Sequence, residues 1–174
     1  MTEFDTNRLP RSTPGWDALL DLIEAATDDA EVEKTWLELK SHPAVIKPAD
    51  KFAVAKAILA MANRDPARAA AYLDGHGLVV VGAKAGQLVG TEQIEDHVLQ
   101  DRLAPYLGDA NQAPSFDIRW LSRHGKHILV IIVAAPAAGD RIYPPPQSSR
   151  LPPFRHDLHP ALAVFLSKST SWGC

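Results

Sequence analysis

The sequence predicts an α+β fold in which a small mixed or mostly antiparallel sheet is flanked by helices. Helical and strand periodicities alternate along the 174 residues in the order helix, strand, helix, hairpin, helix, hairpin. Two apolar runs, at 78–81 and 128–135, are not interrupted by polar residues, which indicates strands at the centre of the sheet. The length suits one full domain.

Apolar residues that recur at helical spacing predict three main helices. They are expected over 14–26, 51–63 and about 92–107. Ser12 or Thr13 can cap the first helix and Asp50 the second, and Pro105 predicts an early end for the third. The polar stretch 27–35 is interpreted as a turn. Short helical segments are expected at about 67–73 and 159–167.

Alternation of apolar and polar residues predicts the strands. In 35–40, one face is expected to present Leu37 and Leu39, and the other face Trp36, Glu38 and Lys40. The remaining strands are expected as two hairpins, 77–81 with 87–89 after a tight bend at 82–86, and 115–122 with 126–135.

The charge balance excludes some classes of protein. A net charge of −3 argues against a chain that coats nucleic acid by bulk attraction alone, but it leaves room for a local basic patch. The proline-rich stretch 141–156 contains three arginines and a histidine and no acid.

No apolar run in the sequence reaches the ~18 residues that a membrane-spanning helix needs. The N-terminus lacks the charged-then-apolar order of a signal peptide, and Cys174 is the single cysteine. We expect a cytoplasmic protein that does not contact membranes.

A series of short motifs runs through residues 31–146. Its members are Glu33, Glu38, Leu39, Lys40, Ala60, Ala62, Asn63, the stretch 77–83, Gly90 and the strand HGKHILVIIVAAP at 124–136. In order and spacing these motifs resemble the Schlafen AlbA-type domain, which occurs in bacterial proteins and in animal Schlafens. The family pattern joins E-x4-E-[FL]-K, a helix that ends in A-x-A-N, and G-x-[LV]-[VIL]-[VIL]-G-[VA].

The resemblance implies a compact Schlafen AlbA-like α+β fold and a role on nucleic acid. It divides the chain into an N-terminal helix, 1–30, the Schlafen AlbA-like domain, 31–146, and a proline-rich tail with a short helix, 147–174. Some Schlafens resemble metal-dependent ribonucleases that act on transfer RNA. Fold likeness by itself does not fix function.

In the nuclease members, two carboxylates at the spacing of Glu33 and Glu38 join a third acid to hold a divalent cation. Such oxygen ligands suit Mg²⁺ or Mn²⁺. On one extended strand the two acids would face opposite sides, so convergence requires Glu33 to lie on a preceding turn or helix end. The third acid is absent, since the chain reads GAKAG at 82–86. The alternative interpretation is that both acids are solvated charges paired with lysines.

We therefore expect a nucleic-acid-binding module, for DNA or RNA, without nuclease activity of its own. The expected contacts are Lys40, Lys84, Arg141, Tyr143, Arg150 and Arg155. One alternative is a metal-dependent ribonuclease with Glu33, Glu38 and Lys40 as catalytic group and Mg or Mn as its cofactor. The other is a protein-interaction or assembly domain, and a homo-oligomer is a further possibility. The basic stretch also fits an extended linker that covers a sheet edge.

Overall fold

The computed structural model describes residues 3–42, 44–108, 113–137, 139 and 142–144. The helices of this part are α1 (Thr13–Ala25), α2 (Asp29–Val32), α3 (Pro48–Ala62), α4 (Pro66–Ala69) and α5 (Asp96–Leu107), with a 3-10 turn at Leu73–Gly75. The strands are β1 (Leu37–Lys40), β2 (Gly77–Val81), β3 (Ala83–Lys84), β4 (Gln87–Leu88), β5 (Phe116–Arg123) and β6 (Lys126–Val133).

Four of the strands form one mixed sheet in the order β1-β2-β6-β5. β1 runs parallel to β2, whereas β2 with β6 and β6 with β5 pair antiparallel. The turn between β5 and β6 uses His124 and Gly125, both with positive φ, which suits the twist of a two-residue hairpin loop. The predicted α+β class and the central position of β2 and β6 are confirmed.

Helices cover the sheet on both faces. On one face α1 packs against the alternate residues Leu78 and Val80 of β2. On the other face α3 and α5 pack against Val79 and Val81. All five residues of β2 are buried, and this explains why the strand has no polar side chain. The segment 1–30 contributes α1 to the same core as the sheet.

The start of α3 differs from the prediction. The helix begins at Pro48, with Lys47 at the cap position, so the assignment of Asp50 as the cap is wrong. Proline suits a first helical turn because its missing N–H has no partner there. Asp50 lies in that first turn, and its carboxylate is 3.2 Å from Nδ1 of His42.

The third predicted helix, α5, starts later than expected and ends at Leu107, without the early end that Pro105 predicted. It begins at Asp96 rather than near Glu92, and it includes Pro105. Burial of Tyr106 and Leu107 in the core against α3 extends the helix past the proline. Tertiary packing therefore overrides a local signal that usually ends helices.

Trp36 lies in the turn before β1 and is buried. Its ring stacks on Phe4 with the centroids 5.6 Å apart, and the Tyr72 ring is 6.4 Å away. The expectation that Trp36 shares a face with Glu38 and Lys40 is wrong, because the regular alternation begins one residue later.

The stretch 27–35 contains a one-turn helix, α2, where the sequence predicted a turn. The side chain of Asp28 accepts the backbone N–H of Glu31 at 2.8 Å. The Glu31 carboxylate in turn accepts the backbone N–H of Thr27 at 2.7 Å and its hydroxyl at 2.8 Å. Reciprocal bonds of this kind resemble a capping box and stabilise the single turn.

The predicted hairpin of 77–81 with 87–89 is wrong, because β2 pairs with β1 and β6, and β3 and β4 form their own two-stranded sheet inside the predicted bend region. Gly82 has φ +89°, and the backbone N–H groups of Val89 and Gly90 both donate to its carbonyl at 2.8 Å. A Cβ at Gly82 would lie 2.8 Å from the carbonyl carbon of Gly90. Glycine is therefore required where the chain leaves β2.

The tail 147–174 and its predicted helix at 159–167 lie outside the described residues. In the part of the chain that is described, no helix is both long enough and apolar enough to cross a membrane.

Candidate nucleic-acid interface

Glu33 lies at the C-terminal end of α2, which is the position that convergence with β1 requires. After it the chain turns tightly, with backbone hydrogen bonds between Lys34 and Leu37 in both directions, of 3.1 and 3.2 Å. The Glu33 carboxylate accepts the backbone N–H of Leu39 at 2.9 Å. That N–H points to the open side of the edge strand β1, so Glu33 covers part of the strand edge.

Glu38 and Lys40 lie two residues apart on β1, so their side chains share one face of the strand. The Lys40 ammonium forms an ion pair with Oε1 of Glu38. Both side chains are partly buried, with 22% of Lys40 and 35% of Glu38 exposed. Lys40 is therefore paired with Glu38, as expected if this glutamate is a charge paired with a lysine.

The two glutamates do not fit a site for Mg²⁺ or Mn²⁺. One oxygen of Glu33 is engaged by a backbone N–H, and Glu38 is bound by an ammonium that would compete with a cation. Across the described residues, no three His, Cys, Asp or Glu side chains cluster in a way that could hold a metal ion. Hard cations need more oxygen ligands than this pair provides.

Lys84 lies on β3, in a hairpin whose backbone is held firmly against the helices. The backbone N–H of Ala85 donates to Oδ1 of Asp29 at 2.8 Å, and that of Gly86 donates to the carbonyl of Ile23 at 2.9 Å. The Lys84 side chain is exposed, and no side-chain partner for it occurs within the described ranges. The hydrogen-bonded backbone of this hairpin thus presents the ammonium group of Lys84 to solvent.

Three lysines lie at the same end of the sheet, with the side chains of Lys40 and Lys126 on opposite faces of it. Lys40 ends β1, and its carbonyl accepts the N–H of Gly82 at 2.7 Å, two residues before Lys84. Lys126 begins β6, which runs antiparallel to β2, and its ammonium donates to the carbonyl of Leu88 in the hairpin at 2.6 Å. The carboxyl ends of parallel strands are a common place for ligands in α/β sheets. We call Lys40, Lys84 and Lys126 the lysine end.

Tyr143 lies at the opposite end of the sheet. Its backbone is bonded to Asn63, the residue that follows α3. The C-terminal part of α3 packs on the start of β2, since a Cβ at Gly77 would lie 2.8 Å from Sδ of Met61. The Tyr143 ring packs against the core of this face. Of the predicted contacts, Lys40 and Lys84 therefore lie together, and Tyr143 lies apart from them.

Arg141, Arg150 and Arg155 lie outside the described residues. Two functional features were missed from the sequence. Lys126 was missed because its place near the end of β2 depends on the pairing of β2 with β6, which local sequence patterns do not reveal. Asn63 was noted as part of a motif, but its partner is 80 residues away in the chain, and no local pattern reveals such a contact.

Comparison with known proteins finds no matching family model and no matching curated protein. A solved structure that matches is the crystal structure of the DIP2311 protein from Corynebacterium diphtheriae. The two chains are 22% identical with a TM-score of 0.43, and the match covers 70% of this chain. This chain spans 26% of the length of that protein.

Proposed function

We propose that this chain is a nucleic-acid-binding module, similar to the Schlafen AlbA type, that contacts phosphates through its lysine end. The observation that carries the proposal is that Lys40, Lys84 and Lys126 all lie at the end of the sheet where β1 and β2 finish. Lysine ammonium groups bind phosphates as point charges. The resemblance to the family supplies the class of ligand.

The proposal fits the negative net charge because the attraction is local. A cluster of cations on one part of a surface attracts a polyanion within about 8–10 Å at physiological salt, whereas distant acids are screened. Lys40 is partly neutralised by Glu38, so Lys84 and Lys126 supply most of the field. The arginines at 141, 150 and 155, together with Tyr143, remain proposed additional contacts.

The nuclease alternative is less well supported. It needs Glu33 and Glu38 to turn away from their present partners and a third ligand to join them. We propose binding without cleavage, in the cytoplasm, for DNA or RNA.

The first experiment measures binding of labelled single- and double-stranded DNA and RNA by fluorescence anisotropy over a series of salt concentrations. We expect the affinity to fall steeply with salt, since phosphate contacts release counterions. Lys84→Ala should weaken binding and lower the slope of log K against log salt by about one. Lys56→Ala, which removes the same charge from an exposed position on α3, is the matched control and should leave both unchanged.

Two results would overturn the proposal. One is that none of the four nucleic acids binds at low salt. The other is that Lys56→Ala weakens binding as much as Lys84→Ala does.

The second experiment separates binding from cleavage through Glu38. Glu38→Gln removes the carboxylate that holds Lys40, so the binding proposal expects higher affinity for nucleic acid. Lys40→Ala is the opposite change and should lower the affinity. A nuclease that uses Glu38 would instead show Mn²⁺- or Mg²⁺-dependent cleavage of transfer RNA that Glu38→Gln abolishes, and this outcome would contradict the proposal.

A further inference from the structure

The outer edge of β5 carries backbone groups that point away from the sheet. β5 is the last strand of the sheet, and it is eight residues long. The backbone N–H of Ala134 donates to the carbonyl of Ser115 at 3.0 Å, so the odd-numbered residues of β5 pair with β6. The outward N–H and C=O groups therefore belong to Phe116, Ile118, Trp120 and Ser122. Among the described residues no partner for these N–H groups occurs.

The two edges of the sheet are treated differently. At β1 the Glu33 carboxylate accepts an outward N–H, which blunts that edge. At β5 no proline and no such side-chain acceptor lies among the outward positions of Phe116–Arg123. A long open edge of this kind is a template for another strand.

We infer that β5 pairs antiparallel with β5 of a second copy of this chain, with Ile118 of each copy opposite Ile118 of the other. In this register Asp117 lies opposite Arg119 of the second copy, and Arg119 lies opposite its Asp117. Phe116 of each copy likewise lies opposite Trp120 of the other copy. The inference does not depend on the proposed function.

Hydrogen-bond geometry supports this register. Ile118 has outward backbone groups, so the two Ile118 residues at the symmetry axis form a hydrogen-bonded pair. Asp117 and Arg119 then form the closer, non-hydrogen-bonded pairs, whose Cα atoms lie about 4.5 Å apart. Opposite charges at such positions stabilise strand pairing.

Other symmetric registers are less favourable. Centres at Asp117 or Arg119 would place like charges directly opposite each other at the axis. A centre at Phe116 places Pro114, which has no N–H, in the hydrogen-bonded pair next to the axis, whereas a centre at Ile118 moves it to the end of the paired segment, opposite Ser122. A centre at Trp120 would pair Asp117 with Arg123, whose guanidinium is already held by Asp21 and Glu24. The pairs between Asp117 and Arg119 form only when the axis lies at Ile118.

A cleft of about 560 Å³ lies beside residues 116–119, and residues 9–11, Asp96 and Gln100 also line it. Asp117 and Arg119 are exposed, and the Arg119 guanidinium lies 5.2 Å from the centre of the Trp16 ring. This contact holds the Arg119 side chain on the face of the sheet from which the Asp117 side chain also projects. Pairing would join the two four-stranded sheets into one continuous sheet.

The test is sedimentation velocity of the full chain without nucleic acid, over a range of concentrations. We expect the wild type to form dimers. Asp117→Arg and Arg119→Asp each turn two attractive pairs into repulsive ones, so each should weaken dimerisation roughly ten-fold or more. Asp101→Arg makes the same charge change at an exposed site on α5 and should leave dimerisation unchanged.

Complementation makes the test specific for this register. Mixing the Asp117→Arg chain with the Arg119→Asp chain restores both pairs, so heterodimers should form from two chains that are each monomeric. The double variant should form homodimers again. These rescues also show that the single variants are folded.

A wild type that stays monomeric at all concentrations would overturn the inference. So would a dimer that survives both single charge reversals, since another surface would then hold it. A third contrary outcome is that mixing restores nothing although circular dichroism shows both variants folded.

Discussion

The side-chain amide of Asn63 makes two hydrogen bonds with the backbone of Tyr143. Nδ2 donates to the Tyr143 carbonyl at 2.8 Å, and Oδ1 accepts the Tyr143 N–H at 2.7 Å. The amide thus makes with Tyr143 the two backbone hydrogen bonds that a neighbouring strand would make. It connects the segment after β6 to the residue that follows α3. The asparagine of the A-x-A-N motif has a structural partner here.

Asn63→Ala should release this segment and lower the free energy of unfolding by about 1 kcal/mol, the net value of one or two exposed hydrogen bonds. Hydrogen exchange at the Tyr143 amide should become faster, and urea denaturation measures the stability. Asn7→Ala, which removes an amide bonded to the nearby Asp5, is the control and should leave Tyr143 exchange unchanged. Unchanged exchange in Asn63→Ala would contradict this role.

Gly82→Ala should destabilise the protein more than Gly125→Ala does. Both glycines have positive φ, +89° and +71°, so alanine is strained at either position by about 1 kcal/mol. At Gly125 no atom lies within 4 Å of the new Cβ, whereas at Gly82 the backbone of Gly90 is 2.8 Å away. We expect about 3 kcal/mol or more at Gly82. Urea denaturation of both variants decides the point, and equal losses would contradict the steric argument.

Arg64 joins α3 to the turn before β2. Its guanidinium donates to the carbonyls of Met61, Gly75 and His76 at 2.7, 2.8 and 3.1 Å. Partial burial lowers the pKa of Arg64, because the charged guanidinium loses part of its hydration.

Arg64→Ala should therefore lower the free energy of unfolding by about 2–3 kcal/mol, because it leaves buried carbonyls without donors. Arg64→Lys should recover part of the loss, since an ammonium lacks the planar fork. Arg68→Ala, at an exposed position on α4, should change stability by less than about 0.5 kcal/mol. A lysine variant as stable as the wild type would refute the need for a fork.

Glu31 should contribute a pH-dependent term to stability. The backbone N–H of Thr27, followed by its hydroxyl, lowers the pKa of Glu31 below its ordinary value of 4.5. A carboxyl whose folded pKa is lowered stabilises the protein fully above pH 4.5, and this contribution is lost as the pH falls through the folded pKa.

The measurement is the free energy of unfolding against pH for the wild type and Glu31→Gln. Glutamine keeps an oxygen that can accept from Thr27 but does not titrate. The difference between the two proteins should be constant above pH 4.5 and should change below it. Parallel curves down to acid pH would contradict the prediction.

Much of the fold follows from local patterns in the chain. The buried run 78–81 and the run that begins at Ile128 identify the central strands, because a strand covered on both faces has no place for polar groups. The first helix was located to within one residue of Thr13–Ala25. Helix ends were less predictable, since Pro48 and Lys47 begin α3 while Asp50 has all the features of a cap.

The candidate site was predictable in part. The spacing of the two acids required Glu33 to lie on a turn or at a helix end, and it lies at the end of α2. The hydrogen-bond partner of Glu33 was not predictable, because the backbone N–H of Leu39 is available to a side chain only when β1 is an edge strand. Strand order is set by the packing of whole elements, and the spacing of residues along the chain does not contain it.

By itself the sequence determined the elements and the faces that they bury, because periodicity and burial are properties of neighbouring residues. Only the tertiary structure decided that Lys126 lies at the same end of the sheet as Lys40 and Lys84, and that Tyr143 lies at the other end. It also decided that no strand of the described part of the chain pairs with the outer edge of β5. Each of these facts depends on which strands become neighbours. That choice is made by contacts between residues far apart in the chain.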